Sequence, residues 1–377
     1  VSPTTIYVVF KPTAVQSYTT VNITHTSTSA TTRNKPVSGT GRARPTTVTW
    51  DGGGANDNLK TDPNWTASTY GDAYPLTGNT TIMNFAGATR LSPNNDFTAN
   101  SSFNQINFVS GASAFTLGGN AITLGGTTPQ IVNNDDSLQT VNLGVTLGAA
   151  ATLNAASGDL TLGGSGTIAN GGFRMTVTGG SGKMVTLSGI VSGAGDLLMQ
   201  SAGTLVLGAA NTFTGGGNAA YLVKGATTVN HNTGLGSGAV YLGETGGSDA
   251  ATLQIGTAGV SVGNAITVRS GSSGTMTIGN TSAGTATFSG TTTLNRDITL
   301  ANAGGGTLPL GAVDMATGTR TLTLANAVTI NGNITNGGLT KNGAGTLTLS
   351  GSGNTYASTT TISGGNITVA SGGSIGA

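Results

Sequence analysis

The sequence contains no cysteine, few charged residues and few aromatic residues. Of its 377 residues, 7% are charged and 5% are aromatic, and the formal net charge is +1. The absence of cysteine excludes a disulfide scaffold, and so small a net charge predicts no nucleic-acid partner. The longest apolar runs, such as Ile6 to Phe10, have about five residues, so the sequence predicts no membrane-spanning helix.

Glycine is abundant instead, with 64 residues, but it follows no Gly-X-Y period, and this excludes collagen. Disordered chains combine low hydrophobicity with high charge, whereas this chain has little charge and a slightly positive mean hydropathy. Leucine, valine and isoleucine alternate with threonine in short segments such as Val145–Leu147, and turn residues follow these segments. Strict alternation predicts strands with one buried face, so the expected fold class is all-β.

The charge distribution predicts a separate amino-terminal module. Residues 1–50 hold five basic residues and no acidic residue, whereas acidic residues outnumber basic ones in the remainder. Strands are predicted at residues 4–10, 18–26 and 31–38. The predicted organisation is a β module at residues 1–42, a linker at 43–50 and a second domain at 51–377.

The amino-terminal module carries a partial immunoglobulin-like pattern. Phe-Lys-Pro at residues 10–12, Tyr18, and Val-Ser-Gly-Thr-Gly at residues 37–41 follow one another along the chain. This order resembles the closing part of bacterial immunoglobulin-like repeat domains, which normally need roughly 100 residues. The resemblance therefore implies a small, partial antiparallel module whose apolar faces need a packing partner.

A repeated phrase in the second domain predicts a solenoid rather than a β-sandwich or barrel. The apolar pairs recur every ~7–10 residues and the strands are short. Residues 203–207 (Gly-Thr-Leu-Val-Leu) and 211–213 (Asn-Thr-Phe) return as residues 345–349 and 354–356, which lie 142 to 143 residues later. In a solenoid, each coil buries its apolar face only when a neighbouring coil stacks on it.

The second copy of this phrase resembles a known repeat. It contains Leu339, Lys341, Gly343, Asn354-Thr355-Tyr356, and Gly-Gly-Asn-Ile-Thr-Val at residues 364–369. This run resembles the autotransporter-associated β-strand repeat, and residues 197–229 resemble it more loosely, with Met199 in place of the lysine. Residues 48–124 resemble the amino-terminal segment of the same surface proteins. The resemblance implies a right-handed parallel β-helix over residues 51–377 of a secreted or cell-surface protein.

Few residues point to catalytic or metal chemistry. Asp135 and Asp136 form an adjacent acidic pair, for which a turn, a calcium site and catalysis are the open interpretations. Residues 51–58 (Asp-Gly-Gly-Gly-Ala-Asn-Asp-Asn) loosely resemble an oxygen-ligand calcium loop, with turn chemistry as the alternative. Glu244 is the single glutamate. The sequence therefore assigns no catalytic, cofactor-binding or metal-binding residue, and leaves calcium binding at these two segments open.

The histidines and tryptophans allow only limited chemistry. His25 and His231 are too few for a hydrolytic triad or a histidine-rich metal site, and they are expected in a strand and at a coil corner. Trp50 and Trp65 flank the acidic loop and are interpreted as a plug over the open first coil or as a sugar-binding platform. Residues 215–217 form no phosphate loop, because no Gly-Lys-Ser/Thr follows them.

The leading functional prediction is a non-enzymatic, extracellular structural or adhesive protein at a bacterial cell surface, without cofactors. Its predicted partners are further copies of the chain, stacked head to tail into a filament, and a surface or matrix polysaccharide. Continuation of both ends into further sequence is the alternative to such stacking.

A carbohydrate-binding or polysaccharide-degrading β-helix of the pectate-lyase type is the alternative function. Its distinguishing feature would be a column of Asp, Arg and aromatic side chains along one face. No such column is visible in the sequence, but a solenoid brings residues from distant coils together, so spacing does not decide between the two classes.

Overall fold

The computed structural model describes residues 16–28, 30–40, 45–67, 71–164 and 166–376. The chain divides into two compact units, with the boundary between Pro45 and Thr46. The strand predicted at residues 4–10 lies outside the described residues. Each unit is built from β-strands, so the all-β fold class is confirmed.

The first unit contains an antiparallel pair of strands, Ser17–Ser27 and Ala30–Thr40. Val21 lies opposite Val37, and Asn22 lies opposite Pro36. Among the described residues, these two strands form a two-stranded sheet in which each strand has one unpaired edge, and a proline is tolerated at such an edge. The predicted small antiparallel module is therefore present, whereas its immunoglobulin-like origin stays a prediction.

The second unit is a parallel β-solenoid of about 12 turns, in which each coil adds strands to three ladders. Ladder A contains the strands Thr47–Trp50, Ile82–Phe85, Gln105–Phe108, Gln130–Asn133, Ala151–Ala155, Met175–Gly179, Val240–Leu242, Ile266–Val268, Thr292–Leu294, Val313–Asp314 and Ile334–Thr335. Ladder B contains Asn94–Asn95, Thr116–Gly119, Gln139–Val141, Leu160–Leu162, Met184–Leu187, Ala251–Ile255, Met276–Asn280, Ile298–Asn302, Thr319–Leu324, Gly338–Asn342 and Thr361–Ile362. Two long strands, Leu197–Leu207 and Ala220–Val229, pass through both ladders.

Ladder C consists of two groups of strands. The first group is Ser101–Phe103, Ile122–Leu124, Val145–Leu147, Ile168–Ala169 and Val191–Ser192. The second group is Ser261–Val262, Thr287–Phe288, Pro309–Leu310, Val328–Ile330, Thr346–Leu349 and Asn366–Val369. The chain between the groups passes through a short 3-10 helix, Gly215–Gly217, where the strand ladder is interrupted.

The register of the ladders explains why alternating sequences form this solenoid. In ladder B, Val141 pairs with Leu162 and Leu162 with Leu187, and these side chains are buried. The threonines between them, such as Thr161 and Thr186, pair with each other and point outward. Because parallel strands lie about 4.8 Å apart, side chains of the same kind stack on one another in successive coils. One continuous apolar core results, from Val48 to Tyr356.

The first strand of ladder A is extended by a small antiparallel sheet. Trp65–Ala67 pairs with Thr47–Trp50, Gly71–Asp72 pairs with Trp65–Ala67, and the 3-10 helix Asp62–Asn64 precedes them. The strand Thr47–Trp50 lies within the predicted linker at residues 43–50. The structure begins the solenoid at this strand instead, because Val48 and Trp50 are buried in the core.

Close approach between coils explains why both copies of the repeated phrase begin with glycine. A Cβ atom on Gly203 would lie 1.9 Å from the carbonyl oxygen of Lys183 in the preceding coil. A Cβ atom on Gly345 would lie 2.1 Å from the carbonyl oxygen of Asn326. Both distances are far below van der Waals contact, so a side chain at either position would push the two coils apart.

We expect Gly345→Ala to lower the free energy of unfolding by about 1–3 kcal/mol or more, because the added methyl group overpacks a rigid backbone contact. Urea denaturation followed by circular dichroism measures the change. Gly246→Ala is the matched control, since a Cβ atom there meets no atom within 4 Å. Equal unfolding midpoints for the two variants would contradict this account of the phrase.

Candidate functional site

Two tyrosines stack on the outer surface of ladder A. The register places Tyr221 opposite Tyr241, and the neighbours of each along its strand are buried, so both side chains point outward. The ring centroids are 5.2 Å apart and the ring planes differ by 13°. The tyrosine pair is therefore an offset stack fixed by the strand register.

Arg269 lies over both rings of this stack. Its guanidinium carbon is 4.5 Å from the ring centroid of Tyr241 and 5.0 Å from that of Tyr221. Among the described residues, no acceptor forms a hydrogen bond with this guanidinium group. The two tyrosine rings contact the flat face of the guanidinium group, and no described residue accepts a hydrogen bond from its in-plane N–H groups.

A second arginine lies over Tyr221 and is paired with an acid. The guanidinium carbon of Arg174 is 5.2 Å from the Tyr221 centroid. Its Nε donates to Oδ1 of Asp196 at 3.0 Å, and its Nη2 to Oδ2 at 2.5 Å. The hydrogen bond to Asp196 raises the pKa of Arg174 above its ordinary value, so this arginine stays protonated at neutral pH.

These side chains form what we call the lateral column, which consists of Arg174, Asp196, Tyr221, Tyr241 and Arg269. The hydroxyl group of Tyr241 also donates to Oδ1 of Asn218 at 3.1 Å. The column follows strands that succeed one another in ladder A. It has the combination of Asp, Arg and aromatic residues expected of a carbohydrate-recognising β-helix.

Sequence reasoning missed the lateral column because its members are dispersed along the chain. Arg174 and Arg269 are 95 residues apart. Only the number of residues in each intervening coil decides whether they meet, and coils here differ in length: Ala220 pairs with Val240, but Val240 pairs with Ile266. The one local signal was the position of Tyr221 and Tyr241 between buried apolar residues, which predicts outward rings.

The Asp135–Asp136 segment forms a turn held by hydrogen bonds to Asp135. Oδ1 of Asp135 accepts from the backbone N–H of Ser137 at 2.9 Å, and Oδ2 accepts from that of Gly111 at 2.8 Å. Burial alone would raise the pKa of Asp135, but the hydrogen bonds from Ser137 and Gly111 outweigh it and lower the pKa. Each carboxylate oxygen of Asp135 therefore accepts a hydrogen bond from a backbone N–H group, and the two donors lie in neighbouring coils.

The loop at residues 51–58 is likewise organised by turn contacts. Oδ1 of Asp51 accepts from the N–H of Gly53 at 3.0 Å, and its Oδ2 accepts from the hydroxyl group of Thr66. Asp57 forms an ion pair of 3.0 Å with Arg90. Among the described residues, no group of three or more His, Cys, Asp or Glu side chains is arranged to hold a metal ion.

The remaining candidate residues have structural contacts. Nδ1 of His231 accepts from the N–H of Thr233 at 3.2 Å, which closes a turn. Oε1 of Glu244 accepts from the N–H of Asp249 at 3.1 Å. His25 lies in the strand Ser17–Ser27, and its side chain is outside the described part of the chain.

Trp50 and Trp65 do not form a sugar-binding platform, because both side chains are fully buried. Their rings meet edge to face with centroids 5.2 Å apart, and Phe85 packs against both. Nε1 of Trp65 donates to the carbonyl oxygen of Leu59 at 2.8 Å. The two tryptophan side chains therefore cover the apolar interior of the first coil, as the interpretation of the pair as a plug predicts.

The asparagine of each repeated phrase bonds to the coils on both sides of it. Oδ1 of Asn211 accepts from the N–H of Val191 at 2.8 Å, and its Nδ2 donates to the carbonyl oxygen of Gly234 at 2.7 Å. Oδ1 of Asn354 accepts from Ile334 at 2.6 Å, and its Nδ2 donates to Ser374 at 2.6 Å. These amides therefore satisfy backbone groups in the coils on both sides of them.

Comparison with known families matches these same segments. Residues 197–231 and 339–369 match the passenger-associated-transport-repeat family. These two matches and the parallel β-solenoid support an autotransporter passenger-type β-helix repeat protein. Comparison with curated proteins gives no match, and comparison with solved structures gives none either. No helix among the described residues of this passenger-type chain is long and apolar enough to cross a membrane.

The two passenger-associated repeats occupy different ladders of the solenoid. Leu205 of the first copy lies in ladder B, where it pairs with Val185. The equivalent Leu347 of the second copy lies in ladder C, where it pairs with Val328. The repeat therefore specifies strands, turns and corner contacts rather than a particular face of the passenger-type β-helix.

The second copy buries a lysine where the first copy has a methionine. Lys341 has no exposed side-chain surface, whereas Met199 fills the equivalent place with an apolar chain. Nζ of Lys341 donates to the carbonyl oxygens of Asn342, Gly343 and Gly364 at 3.0, 2.7 and 3.0 Å. Burial lowers the pKa of Lys341 below its ordinary value of 10.5.

The buried lysine should make stability depend on pH in the alkaline range. Between the lowered pKa of folded Lys341 and the ordinary value of 10.5, the unfolded chain binds more protons than the folded chain. The free energy of unfolding contributed by this residue should therefore rise with pH across that window and level off above it. Denaturant unfolding of the wild type and of Lys341→Met at several pH values measures the difference.

Subtracting the Lys341→Met curve removes the other titrating groups, which both proteins share. Lys60→Met is the matched control, because it makes the same replacement at an exposed lysine. A difference curve for Lys341→Met that is flat with pH would show that burial does not affect this ammonium group.

Proposed function

We propose that this chain is a non-enzymatic, extracellular rod of a bacterial surface protein, with structural and adhesive roles. The observation that carries the proposal is the continuous core of the solenoid, in which two passenger-associated repeats make the same asparagine contacts between coils. Such a solenoid keeps its backbone groups paired between neighbouring coils, which suits a spacer outside the cell.

The lateral column supports binding rather than hydrolysis. Glycosidases use two carboxylates about 5–10 Å apart, one of which must be free to exchange a proton. The column holds a single carboxylate, Asp196, and Arg174 engages both of its oxygens. Carbohydrate recognition without cleavage is therefore the second candidate function, and it accords with an adhesive role.

Surface location is tested by labelling intact cells that naturally produce the protein with antibodies against residues 46–377. We expect labelling without permeabilisation, or protein in the culture medium, because the passenger-type solenoid is proposed to act outside the cell. Labelling that appears only after permeabilisation would contradict the proposal. In parallel, purified protein should release no reducing ends or unsaturated products from polysaccharides, and sustained release would overturn the non-enzymatic assignment.

Head-to-tail association of the rod is a further prediction. Ile362, Val369 and Ile375 are 54%, 40% and 52% exposed. Ile362 pairs with the buried Lys341 and Val369 with the buried Leu349, so both occupy core positions that no coil among the described residues covers. Sedimentation velocity should show growth with concentration, because stacking of a second copy would bury them.

The variant Ile362→Asn, combined with Val369→Asn, should weaken this association. Ile190→Asn is the matched control, since Ile190 is 42% exposed on a different coil. A wild-type protein that stays monomeric at all concentrations would contradict head-to-tail association and leave the proposed surface location unaffected.

A further inference from the structure

We infer that the lateral column binds a uronate-containing glycan through the guanidinium group of Arg269. The inference rests on the proposed adhesive function and names its ligand class. A uronate chain carries widely spaced carboxylates among many hydroxyl groups. The column offers the complementary set, which is one unpaired cation surrounded by neutral hydrogen-bonding groups.

Arg269 is arranged to receive a carboxylate. The rings of Tyr221 and Tyr241 lie 5.0 and 4.5 Å from its guanidinium carbon, so stacking fixes the plane of the group. A stacked guanidinium keeps parallel N–H donors at its edge, and these match the two oxygens of a carboxylate. Because no described residue accepts from these donors, a ligand carboxylate would displace no internal contact.

Other cations near the column are already neutralised. Arg174 is paired with Asp196 at 2.5 Å. Lys224, three residues after Tyr221 on the same strand, is paired with Asp249 at 3.0 Å. Arg269 is therefore left as the unpaired positive group of the lateral column. Nucleic acids need several phosphate contacts for useful affinity, so a single free cation does not suit them.

The neutral groups beside Arg269 favour a polyhydroxylated ligand. The hydroxyl group of Tyr221 has no hydrogen-bond partner among the described residues, and neither does Nδ2 of Asn218, whose Oδ1 accepts from Tyr241. One donor–acceptor hydroxyl and one amide donor can thus bond to sugar hydroxyl groups while Arg269 holds the carboxylate.

Strands position the side chains of this site. Tyr221 and Tyr241 lie in the centres of their ladder pairings, between residues that are buried in the core. Arg269 follows the strand Ile266–Val268 directly. Little side-chain entropy is therefore lost when a ligand binds, and the geometry does not depend on a mobile segment.

The test is direct binding of a panel of uronate polysaccharides to the purified chain, measured by calorimetry or by surface-based binding. The panel contains polygalacturonate, alginate and hyaluronate, with a neutral glucan and polyglutamate for comparison. We expect binding to at least one uronate polymer and none to the neutral glucan. Arg269→Gln should weaken uronate binding about 10- to 100-fold, as expected for loss of a charge-assisted hydrogen-bonded pair.

Lys60→Gln is the matched control, because it also removes one positive charge that lies over an aromatic ring, 5.5 Å from the Phe97 centroid, at a different place. It should leave uronate binding unchanged. Tyr221→Leu should weaken binding by releasing Arg269 from one of its two rings. Unchanged circular dichroism and unfolding midpoints for these variants separate loss of the site from loss of the fold.

Three results would overturn the inference. Equal binding by Arg269→Gln and the wild type would remove the guanidinium group from the site. Equally tight, Arg269-dependent binding of polyglutamate would show an acidic-peptide site rather than a glycan site. If no uronate polymer binds, uronate glycans are rejected as the ligand class. The proposed surface function is tested separately, by labelling of intact cells.

Discussion

Stacking of each coil on the next is the interaction on which the rest of this structure depends. A single coil has inward leucine, valine and isoleucine side chains on its three faces and cannot cover them itself. The next coil buries them and pairs with its backbone groups in parallel ladders. Stability therefore comes mainly from contacts between neighbouring coils, and the first coil needs the separate plug formed by Trp50 and Trp65.

The same constraint explains the composition of the chain. Glycine is required where the backbones of two coils nearly touch, as at Gly203 and Gly345. Buried asparagines satisfy backbone groups where the chain turns between ladders, as Asn211 and Asn354 do. Acidic residues can take the same role, and Asp135 does so. Residues whose type suggests metal ligands in the sequence therefore form hydrogen bonds with the backbone where the chain turns.

The functional features come from the register rather than from a motif. Strand pairing stacks Tyr221 on Tyr241, and the length of the following coil brings Arg269 over both rings. Tyr221 lies within the first passenger-associated repeat, whereas its partners Tyr241 and Arg269 lie outside it. The two repeats occupy different ladders, so the repeat does not specify which face of the solenoid it forms. Recognition by the rod would then be a local property of a few coils.

The sequence by itself determined the fold class, because alternating Leu-Thr-Leu segments bounded by glycine and asparagine allow only strands with one buried face. It also determined the repeat type, since the phrase around Lys341 and Asn354 is contiguous. Only the tertiary structure decided which outward side chains meet, that Trp50 and Trp65 are buried, and that Thr47–Trp50 is part of the solenoid. The physical reason is that contacts between coils depend on the summed lengths of the intervening turns, which alternation of residues does not specify.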